Sequence, residues 1–273
     1  MIGYYTKEWE ALAPSIVDRW CPSFSGNTGL QLPSTTGRNN GLLTNFASNG
    51  NDAYFTSPDK LALSLDGVND YVTTTRAIPA FSQLSIAFWV NVASLTNNST
   101  PTFFSCGTGV SARPFFMQYT AATGFRFILI NNATSAVKYI RTQTPTLNTW
   151  EHYVITWTGG ADNSGFQAYR NGVRSVVSYL DQGAQMSGPL PGNLVRLGCY
   201  VDFTTPFQGL LDDFIIFDTA ILPTEAQFIF EQGRGGGLLY RPERRKTYFV
   251  PPVTGWQSYW FRNQQRMVGG GIR

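Results

Sequence analysis

The chain has 273 residues, 14% of them charged and 15% aromatic, with 27 glycines and a formal net charge of +3. So many aromatics and so few charges exclude a disordered chain, and the length suffices for a domain with a sizeable core. The charge is uneven: from Arg234 to Arg273, seven Arg and one Lys face only Glu243, giving +7 and leaving −4 on the rest.

Residues 1–20 read as an N-terminal arm, with one short helix interrupted at Pro14. Glu8 and Glu10 stand where an export leader needs an apolar core, so the expected setting is a cytoplasm. No apolar run is long enough to span a bilayer, and no membrane partner is expected. Residues 21–51, rich in Gly, Ser, Thr, Asn and Pro, predict loops around one short strand, "GLLTNF".

From Leu61 onward, short runs of period-two alternation bounded by turn residues predict successive strands. They are "LALSLDG", "DYVTTT", "LSIAFWVNV", "TFFSCG", "PFFMQYT", "FRFILIN", "VKYIRT", "EHYVITWTG", "GFQAYRNG", "VRSVVSYL", "VRLGCYV" and "LLDDFIIFD". Asn171-Gly172 is the strongest hairpin signal, because both residues tolerate positive φ. The pattern predicts an all-β, two-sheet antiparallel sandwich over residues 21–233. One late helix, "PTEAQFIFEQG", is opened by Pro223, with Thr224 as candidate cap, and stopped by Gly233. Cys21, Cys106 and Cys199 are odd in number and widely spaced, which predicts buried free thiols and no disulfide framework.

The stretches "LALSLDGVNDYV", "LSIAFWVNV", "NTWEHYVITWTG", "FQAYRNGV" and "FQGLLDDFIIFDTAILPTEAQ" resemble laminin-G-like members of the concanavalin A-like lectin/glucanase superfamily. The upstream "STTGRNNGLLTNF" is similar to the segment that opens such domains. The resemblance implies a jelly-roll sandwich and leaves function open, since the fold hosts lectins, glycanases, adhesins and structural modules. Glycanases of the superfamily carry a Glu-x-Asp-x-Glu strand, whose carboxylates flank the glycosidic bond. Here Glu8, Glu10, Glu151, Glu225, Glu231 and Glu243 never share a strand. No catalytic residue and no enzyme activity are therefore expected, and His152, the only histidine, reads as structural.

The resemblance also raises a structural calcium, the one cofactor it suggests, against the alternative that Asp212 and Asp213 only cap a strand and face solvent. Asp213, with Asp212 beside it, matches the family's strand carboxylate, and carbonyls of Asn39 to Gly41 would complete a hard oxygen set. Ser34 stands where an aspartate often occurs, which weakens that site. A lectin site would use loops with an aromatic platform, for which "YVDFTTPF" and "SLTNNSTPTFF" are the candidates.

The C-terminal arm, residues 234–273, interleaves Arg244, Arg245 and other cations with Tyr240, Tyr248, Phe249, Trp256, Tyr259, Trp260 and Phe261. These residue types are enriched at interface hot spots, so the arm reads as a protein-binding segment. An acidic body disfavours nucleic acid as its partner. The combination resembles laminin-G-like proteins of tailed phages. It implies a non-enzymatic virion protein, a capsid decoration or fibre protein, at the virion surface. Its partners would be a capsid or other virion protein and further copies of itself, with a glycan as ligand. The alternative is a bacterial glycan-binding protein.

Overall fold

The computed structural model describes residues 12–22, 30–46, 54–57, 60–96, 99–131, 135–161, 165–182, 186 and 188–233. The chain divides into units over residues 1–238 and 239–273, and every described residue lies in the first. A 3-10 turn at Ala13–Ser15 leads into β1 (Ile16–Trp20), β2 (Gln31–Leu32), β3 (Gly41–Thr44), β4 (Tyr54–Ser57), β5 (Lys60–Asp66) and β6 (Tyr71–Thr74). Next come β7 (Leu84–Ser94), β8 (Thr102–Cys106), β9 (Phe115–Thr120), β10 (Gly124–Asn131), β11 (Ala136–Thr142) and β12 (Trp150–Trp157). The remaining elements are β13 (Phe166–Arg170), β14 (Val173–Arg174), β15 (Val176–Gln182), β16 (Val195–Leu197), β17 (Gln208–Phe217) and the helix α1 (Pro223–Gly233).

The strands form two antiparallel sheets. Sheet A runs β14-β13-β12-β7-β17-β5-β4, with β1 also paired to β17; sheet B runs β15-β11-β10-β9-β8-β16-β6-β3-β2. This is the two-sheet sandwich that the strand pattern predicts and the jelly roll that the resemblance implies. Alternation places Phe88, Phe104, Tyr153 and Phe214 in the space between the sheets, all fully buried. Phe88 lies 5.4 Å from the Phe104 ring, 5.7 Å from Tyr153 and 6.1 Å from Phe214, so it joins both layers. Truncating so central a ring would cost about 3–5 kcal/mol.

The outward face of β7 is apolar too, for a separate reason. Helix α1 covers sheet A there, packing Ala226 and Ile229 against Ala87, Val154, Ile215 and Phe217. Pro223 opens the helix as predicted, but its first turn is closed by Glu225, whose Oε2 accepts from Leu222 N at 2.7 Å, rather than by Thr224. Asn171 and Gly172 have φ of 51° and 76° and join β13 to β14, as that dipeptide demands.

Three strands are present that alternation does not reveal, one of them β2, which pairs with β3 at the edge of sheet B. Sheet A begins upstream of Cys21, because β1 pairs Ile16 to Trp20 against Phe217 to Phe214. The third, β4, pairs with β5 at the edge of sheet A. Along one side of β17, β5 pairs with Gln208–Leu211 and β1 with Phe214–Phe217, leaving Asp212 and Asp213 at the seam.

Candidate functional site

The seam holds Asp212 and Asp213, the two carboxylates that the resemblance offers to calcium. Asp213 adopts φ 48° in the bulge of the β17–β7 ladder, just past the last residue paired with β5, and its side chain is buried. Arg19 Nε donates to Asp213 Oδ1 at 2.5 Å. Asp212 Oδ1 accepts from Asp213 N at 2.8 Å and from the Cys21 thiol at 3.5 Å. Ser34 Oγ and Thr36 Oγ1 both donate to Asp18, the next buried carboxylate. Burial pushes the Asp18 carboxyl above its ordinary value, and these hydroxyls offset part of that rise.

Asn39 does lie nearby, but its carbonyl accepts from Trp20 Nε1 at 2.7 Å and its amide clamps the Arg76 backbone. A hard cation at Asp213 would have to displace a guanidinium that already neutralises the carboxylate. This donor set does not suit calcium. No group of three or more His, Cys, Asp or Glu able to hold a metal occurs among the described residues.

Glu151 and His152 occupy a structural region on β12. Glu151 accepts from Arg170 Nη2, from Thr146 N at 3.1 Å and from Tyr153 Oη at 3.0 Å. Burial alone would raise its carboxyl, but Arg170 with these donors holds it below the ordinary value. His152 is buried under α1 between rings, 5.0 Å from Trp89 and 6.1 Å from Phe230. Its backbone N donates to Asn171 Oδ1 at 2.9 Å, which ties the hairpin turn to β12. The three cysteines are free and buried, and burial pushes each thiol up, that of Cys199 to about 12.

The two loops singled out as lectin candidates meet. Thr102 N donates to Thr205 O at 2.9 Å, and their hydroxyls lie 2.9 Å apart. Beyond them, residues 200–205 form a turn fixed by Tyr200 N to Thr204 O, Phe203 N to Tyr200 O, and Asp202 Oδ1 accepting from Thr204. Positive φ at Phe203 and Thr205 is what the turn requires, and it leaves the Phe203 ring 51% exposed. That ring stands 4.9 Å from Tyr71 and 4.6 Å from the Arg196 guanidinium carbon.

Arg196 is the residue sequence reading missed. Val195 and Leu197 point into the core, so Arg196 between them faces out of sheet B, opposite Thr73 on β6 and Ser105 on β8. It is only 5% exposed, and Nη1 donates to the Gly107 carbonyl. Arg113, also beside Gly107, places its guanidinium carbon 5.7 Å from the Tyr200 ring centre. Arg196 Nε, Arg113 Nε and Thr73 Oγ1 are buried atoms with no hydrogen-bond partner. Each such atom costs about 1–3 kcal/mol if it stays unpaired. The lone Arg in "VRLGCYV", flanked by core residues, was the available signal.

A shallow cleft of about 440 Å³ lies on the outward face of sheet A. Trp150, Asn91, Leu210 and Ser64 form one cross-strand row along it, with Gln208 and Asp66 in the next. Tyr240, Arg244, Arg245, Tyr248, Phe249, Trp256, Tyr259, Trp260 and Phe261 of the C-terminal arm lie outside the described residues. No helix among the described residues is long and apolar enough to cross a membrane.

Residues 66–227 match the family described as the concanavalin A-like lectin/glucanases superfamily. Among solved structures, domain 4 of the GH43 extracellular arabinanase of Geobacillus stearothermophilus, in complex with arabinotriose, superposes with a TM-score of 0.54 at 17% identity. That match covers 78% of this chain and 97% of the arabinanase domain. The ligand binding domain of botulinum neurotoxin serotype D, in complex with N-acetylneuraminic acid, gives 0.56 at 16%, over 82% of this chain and 52% of that one. Trypanosoma rangeli sialidase gives 0.55 at 12%, over 82% of this chain and 34% of its own. No curated protein sequence matches the chain. At these identities the structures share the fold.

Proposed function

The chain belongs to the concanavalin A-like lectin/glucanases superfamily, and from that premise we propose that it is a non-catalytic glycan-binding sandwich. Its sugar platform is the Tyr71–Phe203 rim of sheet B. The observation that carries this reading is Phe203, a large ring held exposed by a turn built to hold it there. An apolar ring in water costs about 25 cal/mol per Å² of exposed apolar area, and the flat CH face of a sugar is the partner that recovers it. Thr204, Asp202 and the buried arginine beside it supply polar edges around that face. Two structures that share the fold were solved with a saccharide bound, which is the ligand class proposed here.

The non-catalytic reading rests on where the carboxylates are. Asp18, Asp212 and Asp213 are buried at the seam, and Glu151 is engaged by Arg170. None is free to protonate a glycosidic oxygen while a second attacks.

A second proposal concerns placement. The +7 of residues 234–273 against −4 elsewhere supports an arm that fixes the sandwich to a larger assembly. In this reading that assembly is a phage particle, with the sandwich displayed at its surface.

The test of the first proposal is a glycan array probed with the wild type, Phe203→Ala and Trp150→Ala. We expect saccharide binding that Phe203→Ala abolishes and Trp150→Ala leaves intact. Loss in the Trp150 variant alone would move the site to the cleft on sheet A. Absence of any saccharide binding by the wild type would refute the glycan reading.

A further inference from the structure

Resting on the glycan reading of this rim, the geometry points to a narrower ligand class: we propose that Arg196, Arg113 and Thr73 form a carboxylate subsite, so that the sugar bound is a hexuronate or another acidic saccharide.

Two independent observations converge on it. The first is the set of unsatisfied polar atoms. Arg196 Nε and Thr73 Oγ1 belong to residues directly opposite each other across the β6–β16 pairing. Arg113, whose Cα lies beside Gly107 and whose guanidinium faces the Tyr200 ring, also leaves its Nε without an acceptor, and the Gly107 carbonyl already takes Arg196 Nη1. Three groups able to donate, on Arg196, on the residue opposite it and on a residue beside Gly107, thus lack an acceptor. A planar carboxylate offers two oxygens with about four lone-pair sites, and guanidinium forks match that geometry. A neutral sugar hydroxyl offers one oxygen and brings its own proton. The Phe203 ring lies against the Arg196 guanidinium and satisfies none of its N–H groups. The ring face is left to hold the sugar while the guanidinium takes the acid group.

The second observation is the sign of the surface. Arg126 and Arg141 pair across β10 and β11 on the same outward face, where neighbouring Phe127 and Ile140 point inward. Of the nine strands of sheet B, only β15 carries an acid, Asp181, which lies opposite Lys138 on β11. The acids Asp18, Asp66, Glu151, Asp212 and Asp213 sit on the strands of the other sheet. The outward strand positions of sheet B from β11 to β16 therefore hold Arg126, Arg141 and Arg196, with Asp202, bonded to Thr204 in the 200–205 turn, as the acid nearest the rim. Neutral glycan recognition needs no such arrangement.

The experiment uses titration calorimetry of the full chain with hexuronate oligomers and their neutral hexose counterparts, matched in length and linkage. The wild type should bind the acid member at least about tenfold more tightly, the difference expected for a charge-assisted hydrogen bond. Arg113→Gln and Thr73→Val should erase that preference and leave neutral binding unchanged. Both residues are only half-buried, so these variants keep the proposal testable even if Arg196→Gln fails to fold. Equal affinity for acid and neutral members, both lost in Phe203→Ala, would overturn the acidic class and leave the glycan reading standing. A preference that survives in Arg113→Gln and Thr73→Val would place the anion elsewhere and overturn this subsite. No binding of any saccharide would overturn both.

Discussion

Replacing Arg19 by Leu tests the electrostatics of the seam most directly. Arg19 and Asp213 have side chains 3% exposed and lie 2.5 Å apart, with Asp212 and Asp18 buried alongside. Leucine roughly preserves the apolar stem of the arginine but removes the guanidinium bonded to Asp213. Breaking a buried pair by removing one partner costs about 3–5 kcal/mol, because the remaining charge stays buried and uncompensated. For a domain of this size each kcal/mol lowers the melting temperature by about 2–4 °C, so the expected fall is about 6–20 °C. Adding Asp213→Asn to the same chain should restore most of the loss, since it removes the stranded charge. Asparagine also tolerates the left-handed backbone at φ 48°. The assay is thermal and urea unfolding followed by circular dichroism, with and without a chelator. Chelation should leave the wild type unchanged, because Arg19 already neutralises Asp213. A loss below about 1 kcal/mol in Arg19→Leu, or a wild type that melts lower with chelator, would refute the reasoning and return the seam to a cation.

Two further predictions concern a second ion pair and the C-terminal arm. Glu151→Gln should destabilise the fold by about 1–2 kcal/mol at neutral pH through weaker bonds to Arg170 and Thr146. Because the Glu151 carboxyl is held below its ordinary value, its contribution is present above the unfolded value near about 4.3 and is lost as pH falls through the folded one. Unfolding curves of variant and wild type should thus converge on acidification, and a constant gap down to acid pH would contradict the assignment. For the proposed attachment arm, Trp256→Ala with Trp260→Ala should abolish co-sedimentation with particles at ordinary salt. Arg244→Ala with Arg245→Ala should chiefly raise salt sensitivity, as charge is screened over about 8 Å. Full binding by the tryptophan variant would reject aromatic anchoring.

What could be read from the chain alone follows the range of each interaction. Strands from Leu61 to Asp218 were legible because alternation is local, and the Asn171-Gly172 turn because its backbone requirement lies within two residues. Helix α1 was legible from Pro223 and Gly233, although its closing bond belongs to Glu225. By contrast, β1 places adjacent charged residues, Asp18 and Arg19, in a buried strand, which breaks any local strand pattern. The pattern makes sense only with Asp213, 194 residues away. The same distance hid the partner that makes Asp213 a poor calcium ligand.

The candidate site shows the same rule acting on charge. A body of net −4 suggests a surface that repels acids, yet that sum averages over two sheets with different charge. The strands of sheet A hold Asp18, Asp66, Glu151, Asp212 and Asp213, while the outward face of sheet B holds Arg126, Arg141 and Arg196. Which strand joins which sheet is decided by long-range pairing, so net charge carries no information about either face. Phe203 stood in a loop that looked like any other until β6 and β16 paired and set Tyr71, Thr73 and Arg196 around it. A lone arginine between two core-facing residues, as in "VRL" or "FRF", marks an outward strand position locally. Only the register between strands gathers such positions into one basic face, and that face is what makes an acidic sugar the ligand to test.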